Sequence, residues 1–278
     1  MSRGGRPRLP VTEALHPRGR RLGPGLSAAR ILSLLHAGDR QALRAVGRAL
    51  PSLARLAEAA ARALSGGGRL LYVGAGTSGR LAAADAAECP PTFGVPPSRV
   101  VAVVAGGARA LRRAVEGAED DRRAGAEALR RLRVGPRDLV LGVSASGTTP
   151  FVVAALREAR LRGARAALLT SNRGARAAAS HRVVLATGPE LVAGSTRLKA
   201  GAAAKMALGL LSTAAFVRVG AVRRGRLASL SATSAKLRRR AVRTVAELAR
   251  VSPARARRAL ESSGWRVADA LARLSRAH

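Results

Sequence analysis

Gly74-Ala75-Gly76-Thr77-Ser78-Gly79 is the stretch of this chain best suited to holding an anion. Its three glycines, Gly76 central among them, let backbone N–H groups approach a ligand closely. Thr77 and Ser78 add hydroxyl donors where the positive end of the next helix begins. A second loop of the same kind, Ser144-Ala145-Ser146-Gly147-Thr148-Thr149-Pro150, offers the hydroxyls of Ser144, Ser146 and Thr149, and its Pro150 suits a first helical turn. Thr170, Ser171 and Asn172 supply a third polar edge. One such loop is compatible with a mere tight turn, but three converging edges predict a bound phosphate or sugar phosphate. The spacing G-x-G-x-x-G also fits a dinucleotide fingerprint. Thr-Ser in the x-x positions and the absence of an acidic residue closing a second strand weigh against it.

Two carboxylates stand out along the same part of the chain, Glu88 in Glu88-Cys89-Pro90-Pro91 and Glu119 in Glu119-Asp120-Asp121. Taken alone, Glu88 reads equally as a helix-end surface carboxylate, and Glu119 as part of a solvated helix start facing the positive dipole end. Lys199 falls on the first turn of a helix that Ser195 or Thr196 is placed to cap. It can serve a ligand anion or simply be solvated.

The elements that must position these groups alternate. Short apolar runs at 69–73, 99–105, 138–143, 165–170 and 183–186 read as strands. Helical stretches lie at 78–88, 108–132 with a break at Gly117, and 150–162. Buried strands alternating with helices predict an α/β fold with a parallel five-stranded sheet covered on both faces, and ligands outside the carboxyl ends of its strands. Before the sheet, apolar residues recur at three and four from Ser27 to Leu64, predicting two or three helices with Pro51 as punctuation. After it, a long helix reaches about Val217, and three short helices follow from about Ser231 with Trp265 as their core aromatic. The expected organisation is a mobile basic arm over 1–24, N-terminal helices over 25–66, a ligand-binding domain over 67–225 and a small helical bundle over 231–278.

The net charge of +34 invites a nucleic-acid reading, but 47 of the 50 basic residues are arginine, beside heavy use of alanine and glycine. All three have GC-rich codons, so base composition accounts for much of the charge. The arginines are dispersed and lack interleaved stacking aromatics, which make up 2% of the chain, so any nucleic-acid contact should be nonspecific. The single cysteine, Cys89, excludes an internal disulfide and a multi-cysteine metal site; a buried, inert thiol is expected. No leader or membrane segment is evident, the most apolar stretch being interrupted by Lys205, and a cytoplasmic protein is expected.

The sequence resembles the N-acetylmuramic acid 6-phosphate etherases, sugar-isomerase (SIS) domain proteins related to the glucokinase regulatory protein. The resemblance rests on the 74–81 loop, 88–95, 116–121, Ser146-Gly147, Gly188-Pro189-Glu190, 194–201 and the terminal bundle, and covers nearly the whole chain. It implies hydrolysis of the lactyl ether at C3 of the sugar phosphate by elimination and hydration. Glu88 is then the proton donor to departing lactate, and Glu119 the second catalytic residue, acting as the C2 base. Phosphate and sugar would be held by Gly76, Thr77, Ser78, Ser144, Ser146, Thr149, Glu190, Ser195 and Lys199. No cofactor or metal is called for, because two carboxyl groups suffice for the proton transfers. The alternative the resemblance leaves is a noncatalytic sugar-phosphate-binding regulator. Departures from the family pattern are Thr148 where an arginine is usual, Ala202 for threonine, and Gly225-Arg226-Leu227-Ala228-Ser229-Leu230 for Gly-Asn-Leu-Met-Val-Asp. An unbroken helix from Ser78 would place Glu88 about 15 Å from the phosphate loop. Either that helix ends early or the site is shared between the subunits of a homodimer.

Overall fold

The computed structural model describes residues 11, 13–232 and 234–276. Five parallel strands, β1 (Leu70–Gly74), β2 (Val100–Val104), β3 (Leu139–Val143), β4 (Arg165–Thr170) and β5 (His181–Val184), form one sheet in the order β2-β1-β3-β4-β5. Both faces are covered, so successive residues of a strand enter different cores. Leu70 and Tyr72 of β1 face one cluster, with Leu139, Leu141 and Val143 of β3. Leu71 and Val73 face the other, with Val140. Hence the strands read as continuous apolar runs rather than alternating ones.

On the first face lie α1 (Ala28–Ser65), α2 (Gly76–Phe93) and α5 (Lys199–Arg218), with α1 packed along α5 and α5 against α2. On the second lie α3 (Arg122–Arg131) and α4 (Pro150–Leu161), packed on each other. By length and composition α5 would qualify as a membrane span, but more than half of it is buried in this core. A short hairpin, β6 (Val222–Arg223) and β7 (Arg226–Leu227), leads to the bundle of α6 (Ala235–Ala249), α7 (Pro253–Glu261) and α8 (Val267–Ser275).

Several elements differ from the sequence reading. The N-terminal region is one 38-residue helix, capped by the Ser27 hydroxyl, and not two or three. Pro51 lies inside it, and burial of Val46, Ala49, Leu53, Leu56 and Leu64 along one side holds the helix through the missing N–H. The 108–132 stretch is a 3₁₀ turn (Gly107–Leu111) and the shorter α3, whose start is capped by the Asp121 carboxylate accepting from the Ala124 N–H. Trp265 is half-buried at the edge of the bundle, under the Arg238 guanidinium at 4.8 Å; Leu260, Val267 and Ala270 fill the core instead. The arm over residues 1–10, and Thr12, lie outside the described residues. From Glu13 the chain runs against the 188–198 loop, and Gly19 sits so close to the Leu191 carbonyl that no side chain fits there.

At the amino ends of β1 and β3, the Asp138 carboxylate accepts from the Arg69 guanidinium (2.7 and 3.1 Å), the Arg69 N–H (2.9 Å) and the Gly135 N–H (3.0 Å). Burial pushes this carboxyl up, but Arg69 and the backbone donors outweigh it and hold the pKa below the usual carboxylate value. A depressed folded pKa contributes stability above the unfolded value of about 3.9, which is lost as the pH falls through the folded one. Asp138→Asn should therefore lower stability by about 2–4 kcal/mol at pH 7. In urea melts, the gap between variant and wild type should narrow toward pH 2. A gap that does not change with pH would refute the ion-pair account.

Candidate active site

The strand order reverses between β1 and β3: the chain leaves β1 for β2 on one side, and later strands are added on the other. Gly74 and Val143, the last residues of these two strands, are in register. The 74–79 segment, whose Gly76 to Gly79 already form the first turn of α2, and the 144–149 loop therefore leave the sheet side by side, with α2 on the first face and α4 on the second. Such a switch point is the natural crevice for a ligand in an open parallel sheet, and two helix amino termini converge on this one.

Hydroxyls line the crevice. Ser78, Ser144, Thr170 and Ser171 share a small cleft there. The Ser144 hydroxyl bonds to that of Thr149 (2.8 Å) and accepts from the Gly147 N–H (3.0 Å), while Ser146 Oγ accepts from the Thr148 N–H (3.2 Å) and hydroxyl (3.1 Å). Asn172 holds the loop from β4, its Nδ2 donating to the Ser146 carbonyl at 2.9 Å. Gly147 has φ +71°, and a Cβ there would overlap Ala175. Gly76 and Thr77 stand at the mouth, Gly201 of α5 lying against the Thr77 methyl. Glu119 is exposed just before α3, and its carbonyl accepts from the Phe151 N–H in the first turn of α4, which ties it to the same end of the sheet.

Two of the sequence-derived binding residues, Glu190 and Lys199, have other partners. The first helical residue of α5 is Lys199, and no local side chain caps it, neither Ser195 nor Thr196. The fully buried Glu190 does so from nine residues upstream: its carboxylate oxygens accept from the N–H groups of Lys199 (3.1 Å) and Ala200 (2.8 Å). The Lys199 ammonium is buried too, donating to Gln41 Oε1 (3.1 Å) and to the carbonyls of Thr187 (3.1 Å) and Pro189 (2.5 Å). Burial pushes its pKa down and that of Glu190 up. This pair locks α5 and the 188–198 loop to α1, behind the crevice.

Helix α2 is unbroken from Gly76 to Phe93, so Glu88 lies about 15 Å along it from Ser78. Phe93 stacks on Phe216 of α5 at 4.3 Å, fixing the far end. Glu88 is exposed at a cavity of about 210 Å³ between α2 and α5 whose walls include Asp85, Cys89, Lys205, Ser212 and Thr213. Behind it, the Asp85 carboxylate accepts from the Tyr72 hydroxyl (2.9 Å) and the Ser212 hydroxyl (3.1 Å). Burial raises the Asp85 pKa despite those two donors, and raises the buried Cys89 thiol to about 12, where it is inert. Sequence reasoning missed this network because its members come from β1, α2 and α5, with no spacing to betray them.

Comparison with known proteins adds the relatives. The chain is 45% identical over 90% of its length to an N-acetylmuramic acid 6-phosphate etherase of Symbiobacterium thermophilum, of which it covers 83%. It is 44% identical over 91% to one of Geobacillus thermodenitrificans, covering 86%, and 44% identical over 94% to one of Crocosphaera subtropica, covering 86%. The chain belongs to the N-acetylmuramic acid 6-phosphate etherase family. Residues 52–160 also match the family model of the glucokinase regulatory protein N-terminal SIS domain. The etherase-family chain shares its fold with a phosphoheptose isomerase from Francisella tularensis (TM-score 0.54, 20% identity, 68% of this chain and 98% of that one). It does so also with a protein of E. coli CFT073 (TM-score 0.51, 17% identity, 72% of this chain and 97% of that one).

A side chain at Gly147 forces the hydroxyl loop out of place, and strain of this kind costs about 1–3 kcal/mol. Gly147→Ala should weaken binding of a 6-phosphosugar about tenfold or more by calorimetry. Lys199→Met should lower the melting temperature and leave that affinity near wild type. The reverse pattern would return Lys199 to the ligand.

Proposed function

We propose that the protein cleaves the C3 lactyl ether of N-acetylmuramic acid 6-phosphate, giving N-acetylglucosamine 6-phosphate and D-lactate, in the recycling of cell-wall amino sugars in the cytoplasm. The observation that carries this reading is family membership over nine-tenths of the chain, at 45% identity to a named etherase. The hydroxyl-lined crevice at the switch point supports a 6-phosphate there.

The chemistry divides into an elimination with two proton transfers and a hydration that reverses them. In the open-chain aldehyde, a base removes the C2 proton, now acidified by the carbonyl. The C3–O bond breaks, lactate leaves with a proton from a general acid, and an α,β-unsaturated aldehyde remains. Water adds at C3 and C2 regains a proton, so that the sum is hydrolysis. Glu119, beside the α4 end of the crevice, is assigned as the base and Glu88 as the acid; each positioned transfer contributes about a hundred- to ten-thousandfold.

We infer a homodimer in which Glu88 of one subunit faces the phosphate crevice of the other. The unbroken α2 supports this, since one sugar phosphate cannot reach both ends of a span of about 15 Å. Uncovered apolar side chains stand on α5, Leu210 at 47% and Val217 at 44% exposure, and on α1, Leu32 and Leu43 at 65% and 61%. These exposed side chains leave apolar surface that a second subunit would cover.

Purified protein should release D-lactate from N-acetylmuramic acid 6-phosphate, with Glu88→Gln and Glu119→Gln each lowering the rate about a hundredfold or more. In deuterium oxide, Glu88→Gln should still exchange the C2 proton and Glu119→Gln should not. Sugar-phosphate binding without lactate release in the folded wild type would promote the regulator instead. Mixing the two inactive variants tests the shared site. Re-formed mixed dimers carry one intact site, restoring about a quarter of wild-type activity, whereas sites built within single subunits would restore none.

A further inference from the structure

The substrate carries a feature that the crevice does not address. The lactyl group attached at C3 ends in a carboxylate only two bonds from the ether oxygen. Whatever protonates that oxygen must tolerate an anion beside it, and discrimination against the unsubstituted sugar requires a group that binds it. The geometry points to the cavity between α2 and α5 as the subsite that receives the lactyl group, with the Lys205 ammonium as the cation that binds its carboxylate.

This rests on the etherase reading and on Glu88 as the acid. Lys205 projects from α5 into the same cavity that Glu88 borders from α2, and it is the one basic residue among the cavity walls. Among the described residues it makes no ion pair within 4 Å. The nearby Asp85 accepts from the Tyr72 and Ser212 hydroxyls and makes no ion pair with Lys205. At about 210 Å³ the cavity has the room of several water molecules of about 30 Å³ each, enough for a six-heavy-atom lactyl group. Leu81, Leu208 and Phe93 on its walls offer apolar surface to the lactyl methyl. The chain uses arginine for 47 of its 50 basic residues, yet has a lysine here. An ammonium is a compact charge that fits where a planar guanidinium fork does not.

The test separates binding from turnover. In a Glu88→Gln background, which keeps the shape of a protonated acid, calorimetry compares N-acetylmuramic acid 6-phosphate with N-acetylglucosamine 6-phosphate, which lacks the lactyl group. Lys205→Met should weaken the first about ten- to a hundredfold, the worth of a charge-assisted hydrogen bond, and leave the second within about twofold. Lys205→Arg should recover part of the loss, and thermal melts should find each variant folded. Equal loss for both sugars, or none for either, overturns the subsite; the first result would make Lys205 a structural counter-charge for Asp85 and Glu88. Because the contrast needs no turnover, failure of wild-type protein to release lactate would remove the etherase reading while leaving the affinity contrast to decide the role of Lys205.

Discussion

Everything in the site depends on the pairing of β1 with β3. These strands are not consecutive, and the reversal of strand order between them leaves a crevice that no crossover fills. Their amino ends are joined by Asp138 and Arg69, and their carboxyl ends are in register at Gly74 and Val143. The ion pair thus secures at one end of the sheet the alignment that the two hydroxyl loops require at the other. Asn172, reaching over from β4 to the Ser146 carbonyl, extends that alignment to the neighbouring strand.

From that crevice α2 acts as a rigid spacer. Its amino end belongs to the anion loop and its carboxyl half to the Glu88 cavity, and the stacked Phe93 and Phe216 keep it from swinging. Tyr72 links the two regions from within the sheet: its backbone is part of β1 and its hydroxyl holds Asp85 beside the cavity floor. The phosphate end and the carboxylate end of the proposed site are therefore built on one strand and one helix, and in the proposed dimer a second subunit brings opposite ends of two such units together.

Much of this is legible in the sequence because the signals are local. Buried strands show as short apolar runs, and the run at 165–170 matches β4 residue for residue; Pro150 marks the first residue of α4. The hydroxyl loops announce themselves by composition. What escapes is nonlocal. Pro51 carries a breaker's signature, and only tertiary burial carries α1 through it. Ser195 and Thr196 have the chemistry of caps, yet the buried carboxylate of Glu190, nine residues before Lys199, takes that role. Lys199 reads as a ligand residue because it follows a polar loop, while its ammonium is held by Gln41 and two carbonyls. Trp265, the lone tryptophan, belongs to the bundle core by size, but a left-handed turn sets it at the edge beneath Arg238.

The grip of Glu190 on the first two N–H groups of α5 also sets the angular phase of that helix. Each residue of an α-helix turns the next by about 100°, so a frame anchored at Lys199 and Ala200 dictates which way Lys205 and Ser212 face several turns later. A single residue inserted between Ala200 and Lys205 would rotate the whole α5 wall of the Glu88 cavity by about 100°, turning the ammonium and the Ser212 hydroxyl away together. The first turns of α5 are thus bound to a fixed count.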